Sequence, residues 1–163
     1  RQVDCADVVI PVDHRRVARP VPAVERRVGA AQGDGRCVVI LTPLPAPARN
    51  VHPLRSDYVE VCWTPVVGST AVALLRLLPA MWAEAVPVEV ADLDLAQRFG
   101  LGKSDRVRQT AQRIARFCGG RWDPSLRLLE VPTALPSLSP GQLARVPEWT
   151  RARHEALTMA VAS

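Results

Sequence analysis

The hydrophobic positions between residues 92 and 132 follow two helical spacings and then give way to turn-forming residues. Leu93, Ala96 and Phe99 recur at i, i+3 and i+6, which predicts a two-turn helix. A longer apolar face recurs at i, i+4, i+7, i+8 and i+11 and predicts a helix over 104–118; its members are Val107, Ala111, Ile114, Ala115 and Cys118. The pattern therefore predicts two consecutive helices.

The segments around these helices carry the residues that end and begin regular structure. Gly100 and Gly102 separate the helices, since glycine readily takes the left-handed conformation found at helix ends. Ser104 is the expected N-cap of the second helix. After that helix, Gly119-Gly120 and the turn Trp122-Asp123-Pro124-Ser125 predict a β-hairpin.

The side of the second helix opposite its apolar face is polar and basic. Its members are Gln109, Arg113 and Arg116, with Asp105, Arg106 and Gln112 beside them. Positive charge is concentrated in the same part of the chain, because residues 92–121 contain seven basic and three acidic side chains. This distribution is expected for contact with a polyanion.

A helix and a short strand at Val88-Glu89-Val90 precede these elements. The predicted order is therefore helix, strand, helix, helix, hairpin. This order resembles that of winged-helix domains, over roughly residues 57–132. The chain is also similar to uncharacterised actinobacterial proteins that share a W-x-P-x-x-G-[ST] run, here Trp63 to Ser69, and a D-L-x-L-A-x-x-x-G-L-G run, here Asp92 to Gly102. The resemblance implies an α+β winged helix-turn-helix fold in which strand 88–90 pairs with the hairpin.

The resemblance and the basic face together predict a DNA-binding protein, a transcriptional regulator that reads the major groove with helix 104–118. Arginine pairs bidentately with guanine and glutamine with adenine. The expected DNA-binding residues are Lys103, Arg106, Arg108, Gln109, Gln112, Arg113, Arg116 and Arg121. The two glutamines, Arg113 and Arg116 are expected to face bases, and Lys103, Arg106 and Arg108 are expected to contact phosphates. Arg121 on the hairpin, which also carries Arg127, is expected at the backbone or minor groove.

Winged-helix folds also serve in protein–protein contacts, so the alternative is a non-enzymatic interaction or assembly module. RNA is a further candidate for the basic face. Affinity that falls steeply with salt would favour a nucleic acid over an apolar protein contact.

The rest of the sequence predicts a small N-terminal region and a longer main domain. Residues 1–56 contain β-rich runs at Val8–Ile10 and Cys37–Leu41 and a weak helix or third strand at 24–31. We expect them to form a small β-containing appendage with a proline-rich connector. Residues 57–163 are expected to form the winged-helix domain with its C-terminal helices.

The connector runs from Pro43 to about Arg55 and is expected to be a linker, or else an arginine-bearing arm that touches phosphates. Alternating apolar residues then predict a strand from Tyr58 to Trp63. Ser69 or Thr70 caps an almost entirely apolar helix, which Pro79 ends or kinks.

Two further helices are predicted at the C-terminal end. The first runs from Ser139 to about Val146, with Ser139 as cap and Pro140 at its first position. The second runs from Glu148 to about Val161, with an apolar edge formed by Trp149, Ala152, Ala156, Leu157 and Ala160. This edge is expected to close the domain or to form a homodimer contact.

The sequence contains no recognisable catalytic constellation, so neither enzyme activity nor a cofactor is expected. The triplet Gly102-Lys103-Ser104 lacks the earlier glycine of a phosphate loop, because residue 97 is glutamine. His14, His52 and His154 show no spacing typical of metal ligands.

The cysteines and apolar stretches bear on location. The four cysteines are dispersed without a C-x-x-C motif, and Cys62 and Cys118 lie in apolar segments, which predicts buried free thiols. No signal peptide is visible, so a cytoplasmic location is expected. Arg76, Pro79 and Glu84 interrupt the apolar stretch 65–86, so no membrane span is expected.

Overall fold

The computed structural model describes residues 37–47 and 49–161, apart from the side chains of residues 160 and 161. All of them belong to the compact unit Gly33–Ser163. The predicted strand Val8–Ile10 and the predicted element 24–31 lie outside the described residues. The described part is α+β, as predicted, with a small mixed sheet and six α-helices.

The elements follow one another from Val38 to Val161. The strands are β1 (Val38–Leu44), β2 (Val51–Pro53), β3 (Val88–Ala91), β4 (Arg121–Asp123), β5 (Leu128–Pro132) and β6 (Ala134–Pro136). The α-helices are α1 (Thr64–Val67), α2 (Ser69–Glu84), α3 (Asp92–Arg98), α4 (Asp105–Phe117), α5 (Pro140–Leu143) and α6 (Glu148–Val161). A π-helical segment, Val59–Trp63, leads directly into α1.

The main sheet has four strands in the order β3-β1-β5-β4. Strand β1 pairs antiparallel with β3 and parallel with β5, and Ile40 lies opposite both Glu89 and Leu128. Val39 and Leu41 of β1 are completely buried. The run of four apolar residues that opens β1 is typical of a strand with neighbours on both edges and cover on its face.

This topology corrects two expectations. Strand β3 does not pair with the hairpin β4–β5, because β1 lies between them. For the same reason, the described part of the predicted N-terminal appendage is not separate from the helical part. Strand β1 forms the middle of the sheet, and β2 pairs with β6 beyond the hairpin. The division of the chain falls between residues 32 and 33, not at 56.

The segment Tyr58–Trp63 is helical, whereas its alternating apolar residues predicted a strand. Its buried side chains are Tyr58, Val59, Cys62 and Trp63, at i, i+1, i+4 and i+5. That spacing is one face of a helix, and over six residues it is difficult to tell from strand alternation. Trp63 is anchored by its indole N–H, which donates to the Pro136 carbonyl at 3.2 Å.

Helix α2 packs against β1, α4 and the π-helical segment and supplies five buried residues to the core: Ala71, Val72, Leu74, Leu75 and Leu78. It begins at Ser69, as predicted, but no side-chain cap bond forms there. Pro79 does not end the helix, which continues to Glu84.

The cysteines in the core are buried free thiols, as predicted. Cys62 and Cys118 are 0% and 1% exposed. Burial raises the pKa of Cys62 to about 11 and that of Cys118 to about 12. Both therefore remain protonated at neutral pH and pack as small apolar side chains.

Helices α5 and α6 begin where the sequence predicted. In α6, however, the side of the helix that packs on the core is not the predicted apolar edge. Ser139 caps α5 in a capping box with Gln142, as the Ser-Pro pair predicted. In α6, Thr150 is 1% exposed and faces the core, whereas Trp149 is 63% exposed. Of the predicted apolar edge, Trp149, Ala152 and Ala156 are exposed and Leu157 is half-buried, and the side chain of Ala160 lies outside the described part. None of the helices in the described part is long and apolar enough to cross a membrane.

A buried ion pair joins the hairpin to the start of α3 and to β1. Arg127, just before β5, pairs with the carboxylate of Asp92, whose side chain is 5% exposed. The Arg127 Nε also donates to the Val38 carbonyl at 3.2 Å. The backbone N–H of Asp92 donates to the Cys37 carbonyl at 2.8 Å. Three segments that are distant in sequence are fixed together at this point.

Replacing Arg127 with Met should lower the free energy of unfolding by about 2–3 kcal/mol, because it leaves the Asp92 carboxylate buried without its cation. The value is set below that of a fully buried pair, because the Arg127 side chain is 31% exposed. Urea denaturation followed by circular dichroism measures it. Arg121→Met, at an exposed site on the same hairpin, is the control and should change stability by less than about 0.5 kcal/mol. Equal effects of the two substitutions would contradict a special role for Arg127.

Candidate nucleic-acid interface

Helices α3 and α4 form a helix–turn–helix unit because two glycines allow the chain to reverse between them. Gly100 and Gly102 have φ of +62° and +69°, values at which a side chain is strained. The Leu101 N–H donates to the Ala96 carbonyl at 2.8 Å, which closes the end of α3. Both helices therefore form as predicted, although the Ser104 side chain makes no cap bond to α4.

The inner faces of the two helices fix which side of α4 points outward. Val107, Ala111 and Ile114 of α4 are at most 2% exposed. On α3, Leu95 and Ala96 face the core, whereas Leu93, predicted to lie on the apolar edge, is 55% exposed. The predicted inner face of α4 is thus confirmed, and that of α3 is confirmed in part.

All eight residues predicted to contact DNA are exposed. They are Lys103, Arg106, Arg108, Gln109, Gln112, Arg113, Arg116 and Arg121. At 100° per residue, Gln109 and Arg116 lie opposite the buried face of α4, with Gln112 next to them. Arg106 and Arg113 lie on the side of the α1–α2 junction. The surface comprising these eight residues is called the basic face below.

The basic face carries six positive side chains, and the only acidic residue in the interval 103–121 is Asp105. Asp105 pairs with Arg108, the Nη2 and Oδ1 atoms being 3.7 Å apart. The Arg116 guanidinium lies over the ring of Phe117, 5.4 Å from its centre. Within the described part, the side chains of Lys103, Gln109 and Gln112 form no hydrogen bond or ion pair. The basic face is therefore positively charged, and three of its side chains have no hydrogen-bond partner within the described part.

Arg113 has an intramolecular contact that its position in the sequence did not indicate. Its Nη1 donates to the Val67 carbonyl, at the end of α1, at 3.4 Å. Gly68 follows, and a Cβ added there would lie 3.0 Å from the same nitrogen. The guanidinium is thus held along the α1–α2 junction, although the residue as a whole is exposed.

The hairpin beside α4 forms through the turn chemistry that the sequence predicted. The Asp123 Oδ1 accepts hydrogen bonds from the Ser125 N–H at 2.8 Å, the Ser125 hydroxyl at 2.6 Å and the Leu126 N–H at 3.1 Å. These bonds, that from the Ser125 side chain foremost, lower the pKa of Asp123. The carboxylate therefore holds the turn, which has the form of an Asx turn.

The two arginines of the hairpin differ in their surroundings. Arg121 is exposed at the start of β4. Arg127 is committed to Asp92 and to the Val38 carbonyl, so its charge is largely neutralised within the fold. It does not add to the basic face, contrary to the sequence-based expectation.

A second polar cluster, which the sequence did not predict, lies at the β2–β6 sheet. His52, Tyr58, Ser137 and His154 meet there through ring stacking and hydrogen bonds. These residues are spread along most of the chain and share no motif spacing, so no local signal could have found them. In the described part, no group of three or more His, Cys, Asp or Glu residues could hold a metal ion.

Comparison of the chain with protein-family models, with curated proteins and with solved structures finds no match.

The connection from α4 to the hairpin should not tolerate a side chain at Gly120. A Cβ added there would lie 2.6 Å from the Glu130 carbonyl oxygen, a backbone atom that cannot move aside easily. Gly120→Ala should therefore lower the free energy of unfolding by about 1–3 kcal/mol, as measured by urea denaturation. At Gly141 nothing lies within 4 Å of the added Cβ, so Gly141→Ala is the matched control and should be nearly neutral. A neutral Gly120→Ala would contradict this close packing of the hairpin on α4.

Proposed function

We propose that this protein binds double-stranded DNA through the basic face and acts as a cytoplasmic transcriptional regulator with a winged-helix arrangement. One observation carries the proposal. The polar and basic residues selected from the sequence are all exposed on a single helix–turn–helix unit and the hairpin beside it. Exposure of this kind is required for base and phosphate contact, although a solvated helix face also meets it.

The dimensions of α4 suit the major groove. Its 13 residues span about 20 Å, at a rise of 1.5 Å per residue. Gln109 and Arg116 point away from the core, Gln112 lies beside them, and these three residues are the candidates for base contact. Lys103 lies in the turn before the helix, where cations commonly contact phosphates.

The flanks of α4 extend this surface. Arg106 and Arg113 would meet the backbone on the side of α1 and α2, and Arg108 on the side of the hairpin. Arg113 would have to give up, or share, its bond to the Val67 carbonyl in order to reach a base. We therefore assign it to phosphate contact in preference to base contact.

The winged-helix arrangement rests on the order α2, β3, α3, α4 and the hairpin β4–β5. The position of strand β1 differs from that arrangement, because β1 lies between β3 and the hairpin in the sheet. This difference concerns the strand order of the sheet and leaves the outward face of α4 unchanged. The proposal for DNA thus depends on α4 and the hairpin, and does not need a direct β3–hairpin pairing.

One observation favours a protein partner as the second candidate. Trp149 on α6 is 63% exposed, and Ala152 and Ala156 on the same side of the helix are exposed as well. Tryptophan is enriched at contact surfaces between proteins. A homodimer through α6 would also suit a regulator that reads a two-fold symmetric site.

Binding to random-sequence duplex DNA across a salt series tests the proposal. Log affinity should fall with log salt at a slope of about −0.9 for each phosphate contacted, so four to six contacts give a slope of about −4 to −5. Fluorescence anisotropy with labelled duplex measures both quantities. A complete lack of binding at low salt would overturn the DNA proposal and shift the weight to a protein partner.

A charge-matched pair of triple variants separates a specific surface from general attraction to a basic protein. Lys103→Ala with Arg106→Ala and Arg116→Ala removes three charges from the basic face. Arg145→Ala with Arg151→Ala and Arg153→Ala removes three exposed charges from the α5–α6 segment. The first variant should lose at least about tenfold in affinity, whereas the second should lose little. Equal losses would contradict a DNA surface centred on α4.

A further inference from the structure

A cavity of about 560 Å³ lies on the β2–β6 sheet and is bordered by α5 and α6. Asn50, His52, Ser137, His154 and Thr158 contribute its polar wall, and Leu138 and Leu143 part of its apolar wall. Its volume lies in the range of roughly 300–1,000 Å³ typical of small-molecule sites. None of the residues of the basic face lines it.

The polar wall is built by a network that holds the side chains in fixed orientations. The rings of His52 and Tyr58 are stacked, with centres 3.6 Å apart and planes 7° from parallel. The Tyr58 hydroxyl accepts the Leu138 N–H at 2.8 Å and lies 2.6 Å from the Nδ1 of His154. The Nε2 of His52 lies 2.9 Å from the Ser137 hydroxyl. A wall fixed in this way before binding lowers the entropic cost of holding a ligand.

The hydrogen bonds assign the protons of this wall. Since the Tyr58 hydroxyl already accepts the Leu138 N–H, we assign its proton to the bond with His154 Nδ1. In the neutral imidazole that accepts at Nδ1, the ring N–H of His154 is on Nε2. The Ser137 hydroxyl lies 2.9 Å from His52 Nε2 and donates to the Asn50 carbonyl at 3.5 Å, and its oxygen keeps a lone pair. Thr158 donates to the carbonyls of His154 and Glu155, at 2.8 and 3.0 Å, so its oxygen also remains an acceptor.

The described lining of the cavity contains no ionisable side chains apart from its two histidines. None of the nine described residues that line it is Lys, Arg, Asp or Glu. Burial, and then the nearby His154, lowers the pKa of His52, which keeps this imidazole neutral at pH 7. A charged ligand would lose its hydration there without gaining a fixed countercharge.

We propose that this cavity binds a small uncharged molecule that has an apolar, ring-sized body and a hydroxyl or amide group. The apolar body would lie against Leu138 and Leu143. The polar group would accept from His154 Nε2–H and donate to the Ser137 or Thr158 oxygen. The site is independent of DNA binding, since it shares no residue with the basic face.

Four probes of similar size test the proposal: phenol, benzamide, benzoate and benzylammonium. They are titrated into the full chain while the NMR resonances of the His52 and His154 ring carbons and protons are followed. Phenol and benzamide should shift both rings in a saturable way with a Kd of about millimolar, as expected for ligands of seven to nine heavy atoms. Benzoate and benzylammonium should bind at least about tenfold more weakly.

Two variants and a control place the binding in the cavity. Leu143→Trp puts a large side chain into the cavity without touching the His–Tyr network, and should abolish the saturable shifts. Ser137→Ala removes one acceptor oxygen and should weaken phenol and benzamide while the fold, checked by the amide NMR spectrum, is retained. Leu93→Trp is the control, because Leu93 is an exposed residue of α3 outside the cavity. This substitution should leave the saturable shifts unchanged.

The proposal is overturned if neither phenol nor benzamide shifts the two histidine rings. It is equally overturned if either charged probe binds as tightly as benzamide, or if folded Leu143→Trp binds the probes unchanged. Because none of these readouts involves DNA, their failure is separate from failure of the proposed function.

Discussion

The ion pair between Arg127 and Asp92 lies where three parts of the chain meet, and the position of the basic face depends on it. Asp92 begins α3, Arg127 precedes β5, and both are bonded to the backbone at the start of β1. The pair thereby fixes the helix–turn–helix relative to the hairpin. The guanidinium of Arg127, which the sequence counted with the positive charge of the hairpin, acts instead as the internal counter-charge of a buried carboxylate, and an uncompensated charge there would be costly.

How far the sequence predicts this fold depends on the distance over which each element finds its partners. Helices α3 and α4, the glycine turn and the Asp123 turn are determined by neighbouring residues, and they were predicted within a few positions. The place of β1 is determined by pairing with β3 and β5, which are remote in sequence, and no local pattern reports it. The strand predicted for Tyr58–Trp63 is wrong for another reason. These six residues are mostly apolar, and their pattern fits the periodicity of a strand and of a helix alike.

The candidate sites divide in the same way. Exposure of the six basic-face residues on α4 followed from the helical repeat, since the apolar positions of α4 fix its outer side, whereas Lys103 lies in the preceding turn and Arg121 on the hairpin. The bond from Arg113 to Val67 could not be predicted, because α1 was read as part of a strand and its connection. The cavity of His52, Ser137 and His154 required the β2–β6 pairing and the docking of α6, both of which are tertiary features.

The central position of β1 has a consequence for the order in which the protein is assembled. Strand β1 pairs in parallel with β5, and Ile40 lies opposite Leu128. Forming this pair closes a loop that contains both the core helix α2 and the whole helix–turn–helix unit. Contacts between such distant segments form late and slow the folding of small domains. During synthesis, β1 leaves the ribosome first but has no parallel neighbour until the hairpin follows. Among the described strands, β3 follows first and pairs with one edge of β1, and the edge that β5 occupies gains this partner only when the hairpin emerges.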